Sequence, residues 1–197
     1  MSIAENETGL SKYLPFAAAT LAVGATMFLL RSQGRLWWCK QDNSLLWASD
    51  IWSAHSSQHI FDPYSLTHFL HGFLFFFAIW IFFRGLRPEW KFSLMILIEC
   101  GWELLENSDF ILERYRAVTI SLDYWGDSIF NSLGDLVSCS LGFLVASRLK
   151  WMHSLAVYFA AELIALFWFR DNLTLNIIML IYPIEAIKTW QMIGAPV

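Results

Sequence analysis

The chain has 197 residues, 57% hydrophobic and 17% aromatic, with only 15% charged. A soluble domain carries about 25% charged residues, so the expected solvent is lipid. The formal net charge of −4 leaves no basic footprint for nucleic acid. The three cysteines, Cys39, Cys100 and Cys139, form no CxxC pair and no metal-type spacing, and are expected as buried filler or a lone loop thiol.

A bilayer core needs ~20 mainly apolar residues per helix. The N-terminal stretch MSIAENETGLSKY is acidic, and no small-residue cleavage site follows the first apolar run, so that run is a retained span rather than a signal peptide. It covers residues 14–30, with Ala18 and Ala22 spaced to let another helix approach closely. Residues 31–64 form a polar outer loop carrying Trp37, Trp38, Trp47 and Trp52, with room for one interfacial helix over 45–52. Asp62-Pro63 then starts a second span, 65–83. The third, 90–106, follows the basic loop RGLRPEWK, and the fourth covers 127–149. A tight basic turn leads to the fifth, 151–169, and a sixth over 173–190 is interrupted by Pro183. The expected fold is all-α: a polytopic membrane protein of about six transmembrane helices in one bundle and a single domain.

Polar residues recur at helical spacing in three of these spans. His68 and His71 stand at i, i+3; Glu99, Glu103 and Glu106 at i, i+4, i+7; and Asp127, Asn131 and Asp135 continue through Ser138 to Gly142. The first set begins its span, the second ends one and the third begins one, so all three fall at the same membrane face. Intramembrane charge is costly and usually functional. Three polar stripes at one depth are best satisfied by facing one another around a wet cavity.

Six acids there, counting Asp123 with the three Glu, Asp127 and Asp135, cannot all stay ionised without cations. Three remedies are open: protons, as in a relay; Arg114 and Arg116 folding back as counter-ions; or a divalent metal, since imidazole with carboxylate suits Zn, Mn or non-haem Fe. On the metal reading, His68, His71, Glu99, Glu106 and Asp127 are the ligand candidates. Glu103, Asp135 and Asn131 are the catalytic candidates, and Arg114, Arg116 and His59 would hold substrate. His68 and His71 read equally well as helix histidines bonded to carboxylates, and Asp127 as an acid favoured by the helix dipole. His55 and His59 fit a solvated loop, or further ligands from above. Glu162, alone in the fifth span, suggests a protonated acid bonded to a neighbour such as Asn176, and Glu185 with Lys188 an ordinary ion pair. No GxSxG, Walker-type, HExxH or Gly-rich nucleotide motif is present.

The segments SQHIFDPYSLTHFLHGF, ECGWELLENS, ERYR and DYWGDSIFNSLGD, in that order, resemble an uncharacterised family of bacterial inner-membrane proteins. The resemblance covers most of 57–142. It emphasises His59, Asp62, Asn107, Arg114 and Arg116 beside the three stripes, and implies no particular activity. A fainter similarity is to VanZ-like membrane proteins, which share the order of a His-bearing, a Glu-bearing and a D…N..GD helix.

The leading expectation is a multi-pass protein of the bacterial inner membrane, with both termini cytoplasmic because the two tightest loops are basic. Its site would open to the outer leaflet and use a divalent metal to hydrolyse or transfer a group on a lipid or envelope substrate. The alternatives are a proton- or cation-coupled transporter and a structural scaffold.

Overall fold

The helical periods of the sequence become eight α-helices among the described residues: α1 (Leu14–Ser32), α2 (Ser65–Phe82), α3 (Pro88–Glu106), α4 (Asp109–Val118), α5 (Ile129–Arg148), α6 (Trp151–Phe169), α7 (Leu173–Ile181) and α8 (Glu185–Gln191). The structure, a computed structural model, describes residues 9–41, 45–121, 124–193 and 195. α1, α2, α5 and α6 are long and apolar enough to cross a membrane. α3 is as long as α1, at 19 residues, but carries Glu89, Lys91, Glu99, Glu103 and Glu106. Its charge is tolerated because it packs against α1, α2 and α5, with Glu99 and Glu103 fully buried.

Two helix pairs organise the bundle, α2 with α5 and α1 with α3. In lipid, helices associate through close packing rather than through a hydrophobic drive, and small residues permit that approach. Gly72 and Gly142 do so here. A methyl group at Gly142 would overlap the carbonyl of Phe69, and one at Gly72 the carbonyl of Cys139. An apolar core of Ile79, Met95, Ile96, Cys100, Leu136, Cys139 and Phe143 fills the space between α2, α3 and α5. α1 and α6 leave Leu21, Phe28, Phe159 and Phe167 exposed, an outer surface suited to lipid.

Four expectations are corrected. Residues 45–52 form no helix: Ala48 N–H donates to the Phe61 carbonyl and Phe61 N–H to the Leu46 carbonyl, both at 3.0 Å. That bridge occupies the backbone groups a helix would need. The polar connection after α3 instead contains α4, with Leu112 and Tyr115 buried at i, i+3. The fourth helix starts at Ile129 with Ser128 as its cap, so Asp127 lies just outside it. Finally, residues 173–190 are not one helix. α7 and α8 are 9 and 7 residues long, roughly 14 and 11 Å at 1.5 Å per residue, and neither alone spans a core of about 30 Å.

The break at Pro183 turns the chain back on itself. Gln191 at the end of α8 donates to Asp171, which precedes α7 (3.0 Å), and Lys188 Nζ donates to the Ala117 carbonyl at the end of α4 (2.9 Å). Met192 and Ala195 therefore line the same cavity as His68 and Asp135. Pro15, at the start of α1, instead accepts from Ser93 near the start of α3, at the opposite end of the bundle. The start of α1 and the end of α8 thus meet opposite ends of the bundle.

Candidate functional site

Short polar segments fix the three stripes at one end of the bundle. Asp62 accepts from the Tyr64 and Ser65 amides through one carboxylate oxygen and from the Ser57 amide through the other, which starts α2. Ser128 caps α5 by accepting from Asn131 N–H (3.1 Å). The loop between α1 and α2 lies across the head of α5: Ile129 N–H donates to the Leu36 carbonyl (2.8 Å) and Ser128 N–H to the Ser57 carbonyl (2.9 Å). Asn107, which ends α3, donates to the Glu103 carbonyl (3.0 Å) and to the Asp127 carboxylate (2.8 Å), and accepts from Asp127 N–H (2.7 Å). One amide thus joins the Glu-bearing and Asp-bearing helices.

The imidazoles and carboxylates meet between α2, α3 and α5. His68 Nδ1 lies 2.7 Å from Glu99 Oε1 and 3.5 Å from Glu103 Oε1. Its Nε2 faces Asp135 at 3.9 Å and Glu106 at 4.0 Å. His71 Nδ1 is 3.2 Å from Glu99 Oε2. Asp135 is held by the Ser65 hydroxyl, 3.2 Å from its Oδ1. Two sets of three donors sit close enough to hold a metal ion, His68–His71–Glu99 and His68–Glu103–Asp135. Both oxygens of Glu103 and Oε2 of Glu106 are buried without a hydrogen-bond partner among the described residues.

Above this cluster is a cavity of about 1070 Å³. Its polar lining includes His68, His71, Glu106, Asp127, Asn131 and Asp135, and its apolar lining includes Leu74, Phe75, Trp102, Trp125 and Ile177. Two tyrosines hold acids in its wall. The Tyr115 hydroxyl sits 2.9 Å from Glu106 and 3.1 Å from Asn176 Oδ1, and the Tyr124 hydroxyl donates to Asp127 at 2.7 Å. Burial raises the Asp127 carboxyl above its ordinary range, opposed by the Tyr124 and Asn107 hydrogen bonds. Burial likewise raises Asp62.

His68 is common to both three-donor sets, with His71 and Glu99 on one side and Glu103 and Asp135 on the other, while Glu106 stands 4.0 Å from its Nε2 and belongs to neither set. Asp127 belongs to neither three-donor set. Asn131 donates to the His59 carbonyl (2.8 Å) and so also tethers the loop. Arg114 donates from Nε to the Leu180 carbonyl (2.9 Å) at the end of α7. Arg116 lies over the Trp125 ring, 5.6 Å from its centroid. Neither arginine pairs with the cluster's acids among the described residues; Arg35 and Lys40 are the basic residues that line the cavity. His59 is buried in the loop, with Nδ1 2.5 Å from the Leu45 carbonyl. Asp123 lies outside the described residues. Glu162 proves to be a cap, accepting from the amides of Leu173 (3.0 Å) and Thr174 (3.2 Å) at the start of α7, rather than a partner of Asn176. Tyr115, Tyr124 and Ser65 were not singled out by the sequence. The i, i+3 pairing of Leu112 with Tyr115 on a short helix was the available signal.

Comparison with known proteins bears out the resemblance to an uncharacterised bacterial family and shows no likeness to VanZ-like proteins. A family model described as a protein of unknown function (DUF2585) matches residues 30–193. A UPF0314 protein of Paracoccus denitrificans is 41% identical over 177 residues, covering 90% of this chain and 92% of its own. One from Brucella anthropi is 45% identical over 177 residues, covering 88% and 87%, and one from Agrobacterium fabrum 38% over 192 residues, covering 97% of each. No solved structure matches. The chain that carries this buried His–Glu–Asp cluster at one end of a bundle of apolar helices belongs to the UPF0314 family.

Proposed function

We propose that this protein is a metal-dependent hydrolase or transferase of the bacterial inner membrane, acting on a lipid-linked or envelope substrate. The observation that carries the reading is Glu103. Its two oxygens are fully buried and accept no hydrogen bond among the described residues, and the nearest imidazole nitrogen is 3.5 Å away. A buried carboxylate in that state is expensive. A divalent cation held by His68, His71 and Glu99 would place a positive charge beside Glu103, which shares the His68 imidazole with that set, and so lessen the cost. Two imidazoles with carboxylates suit Zn, Mn or Fe.

A bound cation would supply Lewis acidity and lower the pKa of coordinated water. The side chains then divide the remaining work. Glu103, unencumbered by hydrogen bonds, accepts a proton, while Asp135, oriented by the Ser65 hydroxyl, holds or returns one. Asn131 sets the height of the loop above them. Asp127 is kept at the wall by Asn107 and Tyr124, adding negative potential rather than a ligand. The cavity's mixed lining suits a substrate with a polar head and an apolar body. Arg35 and Lys40 are placed to meet an anionic head. Arg114 and Arg116 act behind them, by fixing α7 and Trp125.

The basic turns at Arg84–Arg87 and Arg148–Lys150 are cytoplasmic in this reading, which puts the site at the outer leaflet. A second reading, a proton- or cation-coupled transporter, is favoured by His68, whose two ring nitrogens both face carboxyl groups. Elemental analysis of detergent-purified protein separates the two. Stoichiometric metal, lost in a Glu103→Gln, Asp135→Asn variant, supports the first. Folded, metal-free protein from every preparation, with proton flux into vesicles, supports the second.

A further inference from the structure

The outer loop brings together three donors that are far apart in sequence. Cys39 Sγ lies 3.2 Å from His55 Nδ1, which lies 3.2 Å from His59 Nε2. One ligand atom from each residue falls within 4.8 Å of the others. We propose that Cys39, His55 and His59 form a second metal site, for a borderline-soft ion of the Zn²⁺ type, which clips the outer loop shut over the cavity.

Three features of the triad support the assignment. The first is the spacing. With Zn–S near 2.3 Å and Zn–N near 2.0 Å, a tetrahedral ion holds neighbouring nitrogens about 3.3 Å apart and sulfur and nitrogen about 3.5 Å apart. The 3.2 Å contacts are slightly inside those edges and need only a small opening.

The second is the hydrogen-bond inventory. His59 Nδ1 lies 2.5 Å from the Leu45 carbonyl, so it carries the hydrogen and leaves a lone pair on Nε2. Among the described residues, the single His55 Nδ1 of a neutral ring either donates to that lone pair or accepts from the Cys39 thiol, and cannot do both at once. A cation takes all three lone pairs at once. The His59–carbonyl contact is the outer-shell hydrogen bond that ligating imidazoles usually make.

The third is the loop itself. It connects α1 to α2 over 32 residues, 33–64, and contains no helix among its described residues. Connections longer than about 12–15 residues without regular structure are uncommon and are usually functional. Cys39 and His59 are nonetheless buried, and the Trp38 ring packs edge-on to His59 at 5.4 Å. The loop's carbonyls at Leu36 and Ser57 hold the head of α5, and Gln58 reaches Gly126 beside the cavity at 2.8 Å. A clip at Cys39, His55 and His59 would therefore fix the loop residues that line the cavity, among them Arg35, Lys40 and Gln58. The site differs from the one between the helices in its thiolate, which disfavours Mg²⁺, Ca²⁺ and Mn²⁺.

That difference supplies the test. Full-length, detergent-solubilised chain is stripped with chelator and titrated with Co²⁺, the probe for the Zn²⁺ type. A near-ultraviolet thiolate-to-cobalt charge-transfer band should appear and saturate at one ion per chain. Cys39→Ser and His59→Gln should abolish it, Zn²⁺ should displace it, and Cys100→Ser, Cys139→Ser and the Glu103→Gln, Asp135→Asn variant should retain it. Absence of the band in the unaltered protein overturns the proposal, as does a band that survives Cys39→Ser. Because the two helix-site substitutions leave the band intact, failure here is distinguishable from failure at the buried cluster.

Discussion

His68 Nδ1 stands 2.7 Å from Glu99 Oε1, a contact between α2 and α3 made wholly inside the bundle. Glu99 also receives His71, at 3.2 Å on its other oxygen. A single carboxylate therefore anchors both imidazoles. The same contact sets the depth at which Glu103 and Asp135 meet His68.

Removing that anchor should be costly. Breaking one partner of a buried pair typically costs about 3–5 kcal/mol, and Glu99→Ala removes the carboxylate that both buried imidazoles share. The expected result is a clearly lower unfolding midpoint in SDS titration. An unchanged midpoint would mean that the two His–Glu contacts do not hold α2 against α3.

The crossing of α2 and α5 should be equally intolerant of added volume. Gly142→Ala places a methyl group on the Phe69 carbonyl, so the helices must separate. Overpacking of this kind costs about 1–3 kcal/mol. Gly24→Ala, where a methyl group meets nothing within 4 Å, is the matched control and should leave the midpoint unchanged.

Asp171 makes stability depend on pH. Burial, outweighing hydrogen bonds from the Asn172 amide, Asn176, Gln191 and Tyr64, pushes its carboxyl up to about 7. A folded value above the ordinary 3.8 means that the folded chain binds this proton more tightly. Its contribution is complete below the unfolded value and is lost as pH rises through the folded one. Between about pH 5 and pH 7 the unaltered protein should lose stability faster than Asp171→Asn, by at most about 1.4 kcal/mol per pH unit. Parallel curves for the two proteins would show that Asp171 does not titrate in this window.

The return of α8 toward Asp171 predicts an asymmetric topology. A reporter fused before α1 should be active only in the cytoplasm. One fused after α8 should be active only on the outer side. Reporters on one common side would show that the α7–α8 turn does not bring the chain back to the site end.

Much of this architecture was visible in the sequence, for a physical reason. Lipid imposes long apolar runs, so the expected spans at 65–83 and 151–169 differ from α2 and α6 by at most one residue. The stripes of His, Glu and Asp were equally legible, because a polar residue in a span has few places to point. What escaped was set by tertiary partners. The 45–52 segment looks amphipathic, yet its backbone is engaged by Phe61. Pro183 announced a break, but the direction of the chain beyond it depends on Asp171 and Gln191 meeting. Glu162 looked isolated because its partners are backbone amides eleven and twelve residues ahead. Cys39 showed no metal spacing because its companions are histidines sixteen and twenty residues away, joined only by a folded loop.

The central claim is that the imidazoles of α2 and the carboxylates of α3 and α5 hold a divalent cation together. Pulsed EPR on chain loaded with Mn²⁺, which the thiolate of the outer loop disfavours, tests it most directly. The account predicts nitrogen modulation from two imidazoles, unchanged in Cys39→Ser, weakened in His71→Gln and absent when His68 and His71 are both replaced by Gln. Mn²⁺ that binds without nitrogen modulation, or with modulation that survives the double replacement, would contradict it.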